Sequence, residues 1–131
     1  MQPEFATRLA KYTFRKEERL YKEKLIQELF DQGSSFYLYP FKVLVKRNPD
    51  EAFSVHQVLI SVSRKNFRNA SDRNLIKRRV RESFRLNKNL LPVRPKLLIA
   101  YIYTAKEILT FAQIQERLIK TLNRFDNVEK I

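Results

Sequence analysis

Residues 64–85 constrain the fold more than any other part of the chain, because they combine a high positive charge with a helical spacing of apolar residues. Nine lysines and arginines stand there against two acids, so this stretch carries +7 of the net charge of +13. Ile76, Val80 and Phe84 recur at intervals of four, which places them on one side of a helix. The pattern predicts a rigid helix over about residues 73–87, packed on one side and cationic on the other.

The other side of this predicted helix is almost free of acids. Ser71 or Asp72 is the predicted N-cap, since a short side-chain oxygen can accept a hydrogen bond from the first turn. A helix that is merely solvated usually mixes charges and gains ion pairs between residues three or four apart. Here the side opposite the apolar residues presents cations and one amide, which indicates a surface for a polyanion. These outward residues are Asn74, Lys77, Arg78, Arg81 and Arg85, with Arg73 and Arg79 on the flanks.

Length and composition predict one folded, soluble domain. The chain has 131 residues, 44% of them hydrophobic, with ten phenylalanines and six tyrosines, whereas disordered chains are poor in aromatics. It has no cysteine, which excludes disulfides and cysteine-ligated metals. The longest apolar run, residues 97–105, is about half of a membrane span, and Glu4, Arg8 and Lys11 interrupt any signal-like start. We therefore expect a cytoplasmic protein.

The excess of positive charge has three possible interpretations. Solubility alone would be served by scattered lysines, but here arginine and lysine cluster. An anionic membrane would require a basic helix with free bulky insertion residues, and no segment shows that combination. With a pI near 10.2, nucleic acid is the preferred partner.

The periodicities along the chain predict an α+β fold with the element order α-β-β-β-α-β-α and a four-stranded sheet packed against helices. A first helix spans residues 16–31, and Gly33 fits the left-handed residue that closes a helix. Thr110 and Gln113 resemble a capping box that opens the last helix. The strands are predicted at residues 36–39, 41–46, 53–63 and 96–103. The domain boundaries are predicted as a basic, aromatic lead-in over residues 1–15, one domain over 16–125, and a tail over 126–131.

No catalytic or metal-binding set emerges from the sequence. His56, the one histidine, shares a strand face with Val58 and Ile60, which predicts a core or edge role. Asp50 and Glu51 form a turn pair without a predicted partner. A stand-alone protein nuclease is therefore the least favoured function.

The motifs around the basic helix resemble those of the bacterial ribonuclease P protein family. Residues 61–65 read Ser-Val-Ser-Arg-Lys, residues 73–78 read Arg-Asn-Leu-Ile-Lys-Arg, and residues 81–82 read Arg-Glu. The family pattern is Ser-Val-Ser-Lys-Lys, then Arg-Asn-Arg-x-Lys-Arg and Arg-Glu. The resemblance covers roughly residues 14–125 and also includes Arg19-Leu20 and Phe30-x-x-Gly33. Two residues depart from this pattern. Leu75 replaces the motif's second arginine. Arg68 replaces the usual glycine before the helix, so the turn there must use a backbone conformation that residues other than glycine can adopt.

The resemblance implies both a fold and a function. The fold would include a left-handed β-α-β crossover around the basic helix. The protein would be the subunit of ribonuclease P that binds the catalytic RNA and the 5′ leader of precursor tRNA during endonucleolytic removal of the leader. The catalytic centre and most of the bound Mg²⁺ would belong to the RNA, and the protein would be monomeric outside the complex. The alternative is a general RNA-binding module, for example a ribosome-associated one.

The resemblance also implies which residues bind RNA. The leader would lie in a cleft between sheet and helix lined partly by aromatic side chains, although core packing remains an alternative role for those aromatics. The implied cleft residues are Phe30, Phe41 and Lys65. The implied contacts to RNA are Arg64, Lys65, Arg68, Arg73, Asn74, Lys77, Arg78, Arg81 and Arg85.

Overall fold

Three α-helices and four strands make up the part of the chain that the computed structural model describes, residues 14–50 and 52–125. Their order is the predicted α-β-β-β-α-β-α. Residues 1–13 of the predicted lead-in and the tail at 126–131 lie outside the described residues. The elements are α1 (Glu23–Gln32), β1 (Ser34–Leu38), β2 (Phe41–Arg47), β3 (Gln57–Val62), α2 (Ala70–Asn87), β4 (Leu97–Tyr103) and α3 (Phe111–Asn123), with short 3-10 turns at Lys16–Glu18 and Lys88–Leu90.

The four strands form one mixed sheet in the order β1-β2-β4-β3. β1 pairs with β2, and β2 with β4, in antiparallel fashion, whereas β3 and β4 are parallel neighbours. Two parallel neighbours cannot be joined by a tight turn, so the chain must return along the length of the sheet. That return is helix α2. The left hand of this crossover stays a prediction from the family resemblance.

Helices cover both faces of the sheet. On one face α2 and α3 pack through residues such as Val80 and Leu118, both with 0% of their surface exposed. On the other face α1 packs through Leu29 onto Leu44 and Leu98. β4 therefore has helices on both sides, and each of its first five residues, Leu97 to Tyr101, is 0% exposed. Phe14, at the end of the predicted lead-in, packs edge-on against Phe84 and so joins the core between the sheet, α2 and α3.

Helix α1 is shorter than predicted. The segment from Lys16 makes one 3-10 turn and then runs extended beside β3, where the Leu20 amide donates to the Val58 carbonyl at 2.9 Å. β3 is an edge strand with unpaired backbone groups, and this segment satisfies some of them. Edge pairing thus replaces the first turns of the predicted helix, which begins only at Glu23.

Two other predicted boundaries were wrong. α2 begins at Ala70 after an Asn69 N-cap without a side-chain cap bond, so Ser71 and Asp72 lie inside the first turn. β3 begins at Gln57 rather than at residue 53. In both cases the apolar pattern located the element but not its first residue.

Gly33 does not adopt the predicted left-handed conformation, since its φ is −70° and its ψ is 151°. Its role is steric. A Cβ at this position would lie 2.4 Å from the carbonyl oxygen of Leu29 and 3.0 Å from Leu29 Cδ1. Glycine therefore lets the chain pass from α1 directly into β1 against the last turn of the helix.

The predicted capping box at the start of α3 is confirmed. The Gln113 amide donates to Thr110 Oγ1 at 3.2 Å, and the Thr110 amide donates to Gln113 Oε1 at 3.0 Å. The apolar stripe that follows is buried as far as Phe125. Phe125 in turn packs against Phe36 of β1, with ring centroids 5.9 Å apart, so the end of α3 covers the outer strand.

His56 joins the start of β3 to the segment before β4, which agrees with the predicted core or edge role. Its Nε2 lies 2.9 Å from the Pro92 carbonyl oxygen, and its Nδ1 accepts from the Leu97 amide at 3.0 Å. Both bonds are made by the neutral ring with the proton on Nε2. Burial lowers the pKa of His56 from 6.5 to about 4.

We expect the free energy of unfolding to fall as the pH is lowered from about 6.5 to about 4. In this window the unfolded chain protonates His56 and the folded chain does not, so stability contributed by the neutral ring above pH 6.5 is progressively lost, by up to about 3 kcal/mol. Urea unfolding at a series of pH values would measure this. His56→Gln, which removes the chain's one histidine, should flatten the dependence between pH 5 and 6.5. An equal slope in both proteins would contradict the assignment.

Candidate nucleic-acid interface

The outward side of α2 carries the residues predicted to bind RNA. Ile76 and Val80, both 0% exposed, fix the inner side of the helix against the core. On the outer side, cationic and amide side chains line a shallow groove with a volume of about 460 Å³. The structure thus brings together four of the predicted contact residues and adds two neighbours. The groove is lined by Ser71, Asn74, Leu75, Lys77, Arg78 and Arg81.

No carboxylate lines this groove, and none of the ion pairs among the described residues involves its cations. Lys77 and Arg81 are four residues apart, and such a like-charge pair costs about 0.2–0.5 kcal/mol. Burial of each large apolar side chain on the inner side contributes roughly 1.5–3 kcal/mol. Packing therefore outweighs repulsion, and the helix can present unneutralised cations to a partner.

Arg73 is tied to the loop before the helix. Its Nη1 donates to the carbonyl oxygens of Phe67 and Arg68, at 2.7 and 2.9 Å. Both bonds use one nitrogen of the guanidinium, so its other N–H groups remain as potential donors. Arg73 thus supports the loop and sits beside the groove rather than in its lining.

Arg85 is also placed outside the groove. Its Nε donates to Glu82 Oε2 at 3.0 Å, and this carboxylate raises the pKa of Arg85, while the arginine lowers the pKa of Glu82. Its charge is thus largely balanced within the helix.

The loop between β3 and α2 extends the cationic surface beyond the start of the helix. Arg64, Lys65 and Arg68 are exposed there. The Lys65 amide donates to Ser63 Oγ at 3.0 Å, which shapes the first turn of the loop. No residue in the described ranges has a positive φ, so Arg68 replaces the family's usual glycine without strain, as predicted.

A second surface lies on the face of the sheet that α1 only partly covers. The register places Tyr37 opposite Lys42, and Lys42 opposite Ile102, in one row across three strands. Tyr37 is 58% exposed, and Lys42 is also exposed. Phe30, on α1, is 46% exposed. The row thus offers an exposed aromatic ring and a cation, and α1 carries a second exposed ring. Such rings and cations suit a nucleotide chain.

Phe41 was predicted to line the cleft, and the structure contradicts this because its ring is 0% exposed. It packs against Tyr101 and Tyr103 in the core, with ring centroids 5.2 and 6.1 Å apart. Side chains alternate along a strand, so Phe41 faces α2 and α3 while its neighbour Lys42 lies on the face that α1 partly covers. Sequence reasoning missed Tyr37 and Lys42, although the same alternation could have found them once the faces were assigned.

Within residues 14–50 and 52–125, no group of three or more His, Asp or Glu side chains could hold a metal ion. None of the helices in these ranges is long and apolar enough to cross a membrane.

Comparison with known proteins decides the family. The model of the ribonuclease P protein family, described as Ribonuclease P, matches residues 14–126. This chain belongs to that family. It is 33% identical over 120 residues to the ribonuclease P protein component of Porphyromonas gingivalis, covering 88% of each chain. It is also 33% identical to that of Haemophilus influenzae over 112 residues, covering 84% of this chain and 91% of the relative.

Solved ribonuclease P proteins share the fold. The protein from Thermotoga maritima is 32% identical, with a TM-score of 0.69, covering 82% of this chain and 96% of its own. A Staphylococcus aureus mutant with defective mRNA degradation activity is 28% identical, with a TM-score of 0.72, covering 96% and 98%. The predicted family and the α+β fold are therefore confirmed, and the chain is a ribonuclease P protein component that takes part in tRNA 5′ processing.

We expect Arg73→Ala to lower the free energy of unfolding of this ribonuclease P protein by about 1–2 kcal/mol, because two bonds to loop carbonyls are lost. Arg78→Ala is the matched control, since this exposed arginine lines the groove and should change stability by less than about 0.5 kcal/mol. Urea unfolding of both variants would measure the difference. Equal stabilities would show that the loop does not depend on Arg73.

Proposed function

We propose that the chain binds the catalytic RNA of ribonuclease P through the α2 groove. The observation that carries the proposal is the convergence of Asn74, Lys77, Arg78 and Arg81, all in the family motif, on one groove without a carboxylate. Arginine and lysine donors on a rigid helix suit backbone phosphates, whose contacts dominate affinity for RNA. Arg64, Lys65 and Arg68 extend this surface.

The 5′ leader of precursor tRNA is proposed to occupy the second surface. Phe30 and Tyr37 offer exposed rings for stacking, and Lys42, the strand partner of Tyr37, offers an exposed cation. Stacking on aromatic rings tolerates any base, which suits leaders of varied sequence. Because α1 and α2 lie on opposite faces of the sheet, the two RNAs can be held at the same time.

The protein's contribution to cleavage is proposed to be electrostatic. The described residues offer no metal-ligand set, so the Mg²⁺ that supports phosphodiester hydrolysis would be held mainly by RNA phosphates. Fixed cations on α2 would lower the repulsion between crowded phosphates and position the substrate. The protein would act as a monomer within a cytoplasmic ribonucleoprotein whose catalytic centre belongs to the RNA.

We expect Lys77→Ala together with Arg81→Ala to weaken binding to the catalytic RNA and to flatten its dependence on salt. Each lost phosphate contact should reduce the slope of log K against log salt by about 0.7–0.9. Arg117→Ala with Lys120→Ala removes the same charge from exposed positions of α3 and is the matched control. Filter binding over a salt series would measure both. Unchanged affinity in the α2 variant, with its fold intact, would remove the groove from the proposal.

Cleavage of a leader-bearing precursor tRNA by the cognate RNA, at low Mg²⁺, tests the function as a whole. The protein should restore accurate cleavage that the RNA alone cannot perform, and should have no activity without the RNA. The assembled complex should also bind the precursor more tightly than mature tRNA. A general RNA-binding module would treat the two tRNAs alike and leave cleavage unchanged, and that result would overturn the proposal.

A further inference from the structure

A cationic pocket that is separate from the α2 groove lies at the end of the sheet where β2 ends and β4 begins. It has a volume of about 910 Å³ and is open to solvent. Lys46 and Arg47 border it from β2, and Arg94 and Lys96 from the segment before β4. None of these residues belongs to the α2 groove or to the row of the leader cleft.

The charge balance of this pocket favours an anion. Four cations border it against one described carboxylate, Asp50, whose Oδ1 accepts from the Ala52 amide at 3.0 Å. The ion pairs among the described residues do not involve Lys46, Arg47 or Lys96. Partial burial and the nearby charge of Arg94 lower the pKa of Lys96, as expected where cations are crowded.

Hydrogen bonds of the backbone fix the two segments that carry these cations. The Asn48 amide donates to the Lys96 carbonyl at 2.8 Å, which continues the β2–β4 ladder beyond the strands. Asn48 is buried, and its Oδ1 accepts from the Asp50 amide at 2.9 Å. The two cationic segments are thus fixed to each other, so little ordering is required before an anion binds.

The pocket is separate from the α2 groove. Lys96 also borders a smaller cavity with Lys88, which follows the C-terminal end of α2. The groove lies along residues 71–81 of α2, and the stretch from Arg81 to Asn87 adds roughly 9 Å of helix beyond it. One ligand group cannot reach both sites, but a polymer can.

We propose that this pocket is a second phosphate-binding site for the RNA backbone. Its volume far exceeds that of one phosphate group, and its cations come from two segments of the chain, an arrangement that suits successive phosphates of a polymer. The proposal rests on the proposed function, and the backbone could come from the catalytic RNA or from precursor tRNA. The two sources share the same chemistry, and binding to each RNA separately distinguishes them.

Arg47→Gln with Lys96→Gln tests the site. Affinity for one of the two RNAs should weaken on the order of tenfold near 0.1 M salt, and the slope of log K against log salt should fall by about 1.4–1.8. Arg117→Gln with Lys120→Gln is the equal-charge control and should change both quantities much less. If the pocket variant matches the control for both RNAs, the site is overturned.

A third variant gives a change of opposite sign. Asp50→Asn removes the described acid of the pocket but keeps an oxygen to accept from Ala52, so affinity for the same RNA should increase about two- to threefold. The absence of an increase in affinity would contradict the site.

If the wild-type protein binds neither RNA, the proposed function itself fails. If Lys77→Ala with Arg81→Ala weakens binding and the pocket variant does not, only this inference fails.

Discussion

The parallel pairing of β3 with β4 is the constraint on which the rest of the structure depends. Residues 57–62 lie in register with residues 98–103, so the chain must travel back along the sheet between the two strands. Helix α2 is that return, and its apolar side is held against the sheet by Ile76, Val80 and Phe84. The cations on its outer side are therefore fixed in space by the core. A flexible basic tail of equal charge would have to be ordered on binding.

Burial of β4 on both faces separates the α2 groove from the row of Tyr37 and Lys42 on the opposite face of the sheet. α1 packs on one face and α2 with α3 on the other, so a single step along a strand moves a side chain between them. Phe41 supports the core, while Lys42 reaches the open row beside Tyr37. A shift of one residue in the register of β2 would therefore disturb the core and the open row together.

The sequence predicted the features that depend on local spacing. The outward residues of α2 and the order of elements follow from periods of 3.6 and 2.0 residues, and the capping box at Thr110 follows from the spacing of Thr110 and Gln113. The extended path of residues 19–20 depends on a tertiary contact with β3. The role of Gly33 depends on a local contact with Leu29 in the last turn of α1, which the apolar pattern does not show. Phe41 was misassigned because alternation shows that neighbours face opposite sides, but not which side a helix will cover.

The second pocket could not have been predicted, because it joins residues 46–50 to residues 94–96 through the register of β2 with β4. Its Lys96 shares a smaller cavity with Lys88, just after α2, so positive charge also lies beyond the C-terminal end of this helix. Glu82 and Glu18 pair with Arg85 and Lys88 near the C-terminal end of the helix, between the two sites. Acids are thus placed where they neutralise structural cations, and the groove is left without them. An RNA that reached both sites would meet cations carried by a folded protein rather than diffusible ions, and neutralisation by such cations requires no ordering of a flexible tail.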